Sequence, residues 1–558
     1  MKKLIQTSIL AFWTGMCLAA NYDAATVSEF TNAVAKAQTT GDTITLAAGV
    51  TLDFSTLESY SSGTSWGTMS APDTSMGISC VWWQKEIVIQ GADDTPWSEK
   101  TSSQETILDG GGNRIFYGYG GSGRKSTFKN LTFKNGTAPS GQNGGAIVFA
   151  NSESRGGATN CVFKNCSAAN GGATYAVPVT GSLFESCSAG TTGNGGGAYC
   201  DKNYCILSGN VFRGCSAKNG GAIYLSDLSA SPAGYVANCV VSNCTASNYG
   251  GGMYSSKAYN VVNGCRFEGN ASTAQGGACY NASASSCVFV CNESIENRGG
   301  AMSLGSAVDC AFTNNVCTKN GRGGACDKVA AVGCTFSGKG DVSCGSFTRC
   351  VFDGIVPDGN RLWVLDAISN NGSALGVTNC LVVNCAVGRI VNLAGQTADF
   401  ANCTFADNTI SNNGYTVYCD IFNSNSGVGS FVNCIFSGNK QADDTAADLK
   451  LWKSTSGTCS LQFSNCLYTD GFINSEKADV FSNPVHAPAK FVAGSDEYPG
   501  RPYYALVRQS AARNAGLYTS WMDSAVDLAG SARILEGAVD IGCYECLPPP
   551  PGLMIFVR

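Results

Sequence analysis

The chain has 558 residues and a formal net charge of −6, with 44% hydrophobic and only 14% charged residues. So little charge beside so much apolar matter excludes a self-solvating disordered chain, and with no basic run beyond Lys2-Lys3 it excludes nucleic acid as a partner. One histidine beside 29 cysteines leaves no Cys/His zinc spacing, and only His486, in a Pro-flanked loop, for a histidine-dependent hydrolase.

Residues 1–20 read as a signal peptide: basic Met1-Lys2-Lys3, an apolar run from Leu4 to Leu18, and the small pair Ala19-Ala20. The mature chain is therefore expected outside the inner membrane, extracellular or at a bacterial cell surface. Cys17 follows Met16 where a lipoprotein needs a small residue. No later stretch has the 18 apolar residues of a transmembrane segment. Residues 21–127 read as an N-terminal cap and irregular first coils. Thr26 and Glu29 form a capping box, Val27, Phe30, Ala33, Val34 and Ala37 one apolar stripe, and Gly41 a stop. "DTITLAAGVTL" then alternates as a strand. "GYGGSGRKS" (118–126) imitates a phosphate loop, but "STFKNLTFKNG" follows it as strand and turn where a helix is required. No nucleotide is expected.

Residues 128–470 carry a repeat. Gly-Gly pairs recur every 23 to 31 residues, their second glycines at 145, 172, 197, 221, 252, 277, 300 and 324. Between them lies Cys-x-Phe or a relative, as in "CVFKNC" (161–166), "CRFEGN" (265–270) and "CTFADN" (403–408). Residues two apart share one face of a strand, so Cys and Phe point inward. A period near 25 holds short strands and turns but no helix. The economical fold is all-β, a single-stranded parallel β-helix of about 13–16 coils. Three residues after the Phe position stand Cys166, Cys187, Cys215 and Cys244, then Asn270, Asn292 and Asn315. The asparagines are expected to stack amide on amide. The cysteines either pair, Cys166 with Cys187 and Cys215 with Cys244, or are buried thiols.

From about Gly471 the repeat dissolves into a C-terminal cap region, 471–546, where Cys543 and Cys546 read as a local disulfide. A proline-rich tail, 547–558, ends the chain.

The signatures "GGAI" (144–147, 220–223) and "FEGN" (267–270) resemble the repeat of chlamydial-type polymorphic outer membrane proteins. That resemblance implies a right-handed, pectate-lyase-like β-helix and surface adhesion. Residues 527–546 are similar to the "DIGAYE" segment of exported bacterial β-helix proteins, with Cys543 in place of the alanine. Nothing here has the length or strand pattern of the adhesins' C-terminal membrane barrel, so anchoring by a barrel does not carry over.

Two function classes remain. The first is an exported, non-catalytic scaffold, adhesin-like or glycan-binding, whose partner is a polysaccharide or a host or neighbour surface protein. Tyr175, Tyr199, Tyr224, Tyr254 and Tyr280 follow the glycine corner in five consecutive coils. Outward they form a stripe suited to stacking sugars; inward, the side to which the pattern leans, they are core. The alternative is a polysaccharide lyase or glycoside hydrolase, which needs clustered carboxylates, and Ca²⁺ if a lyase; otherwise no cofactor or metal is expected. Glu293, Glu296, Arg298, Arg322 and Asp327 are the densest charged group, Arg298 and Arg322 both directly before Gly-Gly.

Overall fold

The computed structural model describes residues 19–37, 41–55, 79–83, 86–118, 126–149, 156–201, 205–226, 236–319, 322–356, 363–367, 375–393, 396–419, 427–453, 460–470, 472–473, 480–492 and 502–548. The expected signal peptide to residue 18, the centre of the glycine-rich imitation (119–125) and the tail from residue 549 lie outside them. Past that imitation the chain runs into a strand, Thr127–Lys129.

The fold is an all-β parallel β-helix. One coil shows the pattern: a first strand Ile223–Leu225, a second Val236–Ala237, a third Val240–Ser242 and a short fourth Thr245–Ala246. Each pairs in parallel and in register with its counterparts one coil away, as Ile223–Leu225 does with Ala198–Cys200 and Met253–Ser255. Among the described residues the third strands form an open row of seventeen, from Thr51–Asp53 to Val485–His486. At the parallel strand spacing that row is about 75–80 Å long. It is longer than the repeat alone foretold, because the irregular segments before 128 and the strands beyond 470 stack on the same row. His486, expected in a loop outside the coils, is the last residue of that row, its ring 5.2 Å from Tyr468.

Cys and Phe point inward as their spacing requires. Phe267, Phe289, Phe312, Phe336 and Phe352 stack with centroids 4.7–5.2 Å apart. The cysteine row does more than fill space. Cys239 N–H donates to Cys265 Sγ (3.3 Å), whose thiol donates to Asn263 O (3.4 Å). Ser182 performs the same service in this row, accepting from Cys161 N–H (3.0 Å) and donating to Thr180 O (2.9 Å). Where asparagine replaces cysteine in the corner row, amide ladders run as expected: Asn292 Oδ1 accepts both the N–H and Nδ2 of Asn270 at 3.0 Å.

The corner cysteines correct one expectation. Cys166, Cys187, Cys215 and Cys244 are buried free thiols, and so is Cys543, which forms no disulfide with the buried Cys546. Each corner thiol is already engaged: Cys187 Sγ with Phe163 O (3.4 Å), Cys166 Sγ with Phe133 O (3.7 Å), and Cys244 Sγ with the Cys215 N–H (3.4 Å). Side chains of in-register parallel strands run side by side and do not converge. Cys546 N–H donates to Asp540 Oδ2, and burial pushes the Cys543 thiol up to about 12. Among the described residues the one disulfide joins Cys200 and Cys205.

The glycine corner has two separate requirements. Gly220 sits at φ +62°, the left-handed region, and at Gly221 a Cβ would lie 2.1 Å from the Gly251 carbonyl oxygen of the next coil. In the triplets it is the middle glycine, 196 or 251, that lies in this row. The other two corners of a coil are left-handed asparagines in many coils, such as Asn238 and Asn243 (φ 53° each).

The N-terminal end is closed by helix α1 (Val27–Lys36), with both halves of the Thr26/Glu29 capping box formed. Phe30, Ala33, Val34 and Ala37 are buried on the first coils. The C-terminal region expected as a cap lies along a flank. Val492, Tyr504, Ala505, Cys543 and Tyr544 pack on the outer side of Leu381, Val383 and Ala406. Leu506, Ala512, Ile541 and Cys546 pack on Ile435 and Leu467.

Candidate functional site

The residue three past the closely packed glycine of the corner (172, 196, 221, 251 and 277) falls at one register position on the first-strand flank. There it stands between two inward side chains, as Tyr224 does between Ile223 and Leu225. The five tyrosines therefore face outward, half-buried, which corrects the inward reading. Their rings stack upon one another: Tyr175–Tyr199 5.0 Å, Tyr199–Tyr224 4.6 Å, Tyr224–Tyr254 4.9 Å and Tyr254–Tyr280 5.3 Å, within 15° of parallel. Stacking spends the ring faces internally, so the row offers edges and hydroxyls to solvent. Tyr175 OH donates to Asp201 (2.8 Å). The hydroxyls of Tyr224, Tyr254 and Tyr280 have no hydrogen-bond partner among the described residues. Partial burial pushes the Tyr224 phenol up to about 12, which keeps it protonated and a donor.

The same register continues through Ser303, Asp327, Ser343, Asp366 and Asn392 to Tyr418 and Trp452. A polar stretch is thus set between two aromatic ones. Asp327 and Asp366 are 3% and 0% exposed despite their outward position, because arginines lie over them. Arg298 Nη1 stands 3.6 Å from Asp327 Oδ1, and Arg322 Nη1 3.5 Å from Asp366 Oδ2. Asn392 Nδ2 donates to Asp366 Oδ1 (2.8 Å). Burial raises the Asp327 pKa against the opposing pull of Arg298. Beside this pair Asp341 accepts the N–H groups of Gly323 (3.0 Å) and Gly324 (2.8 Å) and Nε1 of Trp363 (3.1 Å). Arg389 differs from the other two arginines. Its guanidinium lies 3.4 Å from the Tyr418 ring centre and donates to Asn392 Oδ1 (3.2 Å), with no carboxylate in salt-bridge range among the described residues. Tyr418 stacks in turn on Trp452 at 4.4 Å.

Of the five charged candidates, the structure brings Arg298, Asp327 and Arg322 to this flank. Glu293 and Glu296 engage elsewhere: Glu293 Oε1 accepts from Thr318 Oγ1 (2.6 Å), and Glu296 pairs with Lys319 (2.9 Å) in solvent. Ser303, Ser343, Asp366, Arg389 and Asn392 escaped the sequence reading. A signal existed for part of the row: Tyr280, Ser303, Asp327 and Ser343 each precede the ladder cysteine (Cys287, Cys310, Cys334, Cys350) by seven residues. For Asp366 and Asn392 that interval changes, so counting fails there.

Backbone and flank together define a β-helical rod with a continuous aromatic and polar ladder on one side. No protein-family model matches the chain, and no curated protein matches it in sequence. Among solved structures it is similar to the PL6 family alginate lyase AlyGC, at 12% identity over 83% of this chain and 89% of that one, with a TM-score of 0.37. It is similar to pectate lyase Pel9A at 12% identity, covering 95% and 97% of the two chains, TM-score 0.22. The Dettilon tailspike protein shares 10% identity over 77% of this chain and 64% of its own, TM-score 0.21. None of these superpositions is close enough to carry a residue or an activity across. Among the described residues no helix is long and apolar enough to cross a membrane.

Proposed function

We propose that this chain is an exported β-helix scaffold that holds a glycan along its ladder flank and does not cleave it. In that reading residues 1–20 are its signal peptide, and its kinship is with the adhesins whose repeat it resembles. The observation that carries the reading is the single register row from Tyr175 to Trp452. It offers the phenol hydroxyls of Tyr224, Tyr254 and Tyr280 towards one end and the guanidinium of Arg389, beside Tyr418 and Trp452, towards the other, with Ser303, Ser343 and Asn392 buried between them. An extended polymer can follow such a row for many residues. Arg389, stacked on Tyr418 and free of a carboxylate, favours an acidic polymer. Catalysis by the acids is disfavoured because Asp327 and Asp366 are sealed beneath arginines and cannot reach a substrate proton.

The test offers the mature protein acidic and neutral polysaccharides with Ca²⁺, following both retention and the release of unsaturated or reducing ends. Retention without turnover, weakened by Arg389→Ala, is expected. Turnover abolished by Asp327→Ala or Glu296→Ala would replace this reading with a lyase or hydrolase.

A further inference from the structure

The ladder tyrosines spend their ring faces on each other; the C-terminal cover does the reverse. Within "LYTSW" (517–521), Leu517 is 43% exposed, Tyr518 53% and Trp521 40%, on a chain that otherwise buries most of its large apolar side chains. Neither Tyr518 nor Trp521 stacks on another ring among the described residues.

The segment is held rigidly. Asn433 grips Leu517 from both sides, Oδ1 accepting its N–H (2.6 Å) and Nδ2 donating to its carbonyl (2.9 Å). Asn465 Nδ2 donates to Ala515 O (3.0 Å) and Asn379 Nδ2 to Val526 O (2.8 Å). All three are left-handed corner asparagines of the third-strand row, so three coils clamp one strip of cover. Between the clamps Met522 is buried, anchoring the short 3₁₀ helix Ser520–Ser524. Tyr518 OH donates to Asp523 (3.0 and 3.1 Å to its two oxygens), which fixes the ring and leaves a carboxylate beside it.

We propose that this clamped strip is a second carbohydrate-binding site, a platform for uncharged sugar rings separate from the ladder. Free indole and phenol faces suit the apolar face of a pyranose, and a neighbouring carboxylate accepts its hydroxyls. Preorganisation by the clamps lowers the ordering cost of binding. Charge selects the class: from Asn514 to Ala532 there is no Lys, Arg or His, while Asp523 is exposed, so an acidic polymer is repelled. The ladder, with Arg389, has the opposite preference, and the platform does not depend on it.

The mature protein is run in native gels containing an uncharged β-glucan, a mannan, a xylan or polygalacturonate. At least one uncharged polymer should retard it, and Trp521→Ala and Tyr518→Ala should each weaken that retardation about tenfold. Trp521→Phe should restore most of it, and Arg389→Ala should leave it intact. Near-UV circular dichroism of each variant checks that the cover stays docked. No retardation by any uncharged polymer overturns the proposal, as does retardation indifferent to both substitutions. Trp521→Ala weakening only polygalacturonate binding overturns it too. So does sedimentation showing that Trp521 instead joins two copies of the chain. Loss of polygalacturonate binding on Arg389→Ala bears on the ladder alone.

Discussion

The outer face of the third-strand row changes character along the rod. In the early coils it carries Lys164, Glu185 and Arg213, one register position linked by ion pairs of 2.8 and 3.7 Å and open to water. In the last coils the corresponding strands present Leu381, Val383, Ala406, Ile435 and Leu467, all buried. Backbone, register and inward filling are the same in both regions. Whether a flank stays bare or takes a cover is therefore decided by its outward residues, one or two per coil. Contact is close enough that a Cβ at Gly542, already at φ +100°, would meet Ile435 Cδ1 at 2.6 Å.

The sharpest way to break that contrast is one substitution made twice. Ile435 and Val240 hold the same register position on covered and bare coils, and Arg266 already fills it beside Val240. Ile435→Glu buries an unpaired carboxylate and should cost about 3–5 kcal/mol, enough to undock the cover. Val240→Glu should shift stability by no more than about 0.5 kcal/mol. Denaturant melts and limited proteolysis of the segment after 489 report both. Equal costs would mean that the cover is held by something other than this apolar strip.

The inward rows offer a second contrast. If the ladder thiols are only small hydrophobes, Cys265→Ala should be nearly neutral. The Cys239 N–H that Cys265 Sγ accepts makes a different expectation: Cys265→Ala costs about 1–3 kcal/mol by stranding a buried donor. Cys265→Ser should cost less, because Ser182 already does this work in the same row. Urea midpoints of the two variants decide between the readings.

The cover buries a charged cluster of its own. Arg533 pairs with Glu545 at 3.0 Å and donates to the carbonyls of Gly542 and Asp540, with Asp527 and Asp540 buried close by. Burial pushes Glu545 up to about 8 and raises Asp527 and Asp540 as well. A carboxyl whose folded pKa exceeds its unfolded value of 4.5 binds its proton more tightly when folded. Its contribution is complete below that unfolded value and is lost as pH rises through about 8. Protease sensitivity of the cover should therefore increase between about pH 4.5 and about pH 8. Glu545→Gln should flatten the increase.

Much of this architecture is legible in the sequence because stacking repeats its demands. The Cys-x-Phe spacing, the glycine corner and the Thr26/Glu29 box each name a geometry with few solutions. The tyrosine phase was not legible for a physical reason. In "AIYL" both alternating pairs, Ala222 with Tyr224 and Ile223 with Leu225, are apolar enough to face inward, and a three-residue strand is too short to average out the ambiguity. Asp366 and Asn392 were hidden by loops of changing length, which destroy counting without disturbing register. The cover's docking strip was visible as the change from Lys164 and Glu185 to Leu381 and Val383. Its partner was not, because 489–546 has no repeat to set a phase.

The smallest expected effect separates the two sets of acids. Glu296 pairs with Lys319 where both side chains are more than half exposed, a geometry in which solvent screens most of the attraction. Glu296→Ala should move the melting midpoint scarcely at all and leave glycan retention unchanged. Asp327→Asn, which leaves the largely covered Arg298 without its counter-charge, should be clearly destabilising in the same assay. The two residues looked alike as charged neighbours in one stretch of sequence. Register separates them, placing Asp327 in the ladder row and leaving Glu296 in a solvated turn, so a large effect at Glu296 would show that the coil phase between 293 and 300 is wrong.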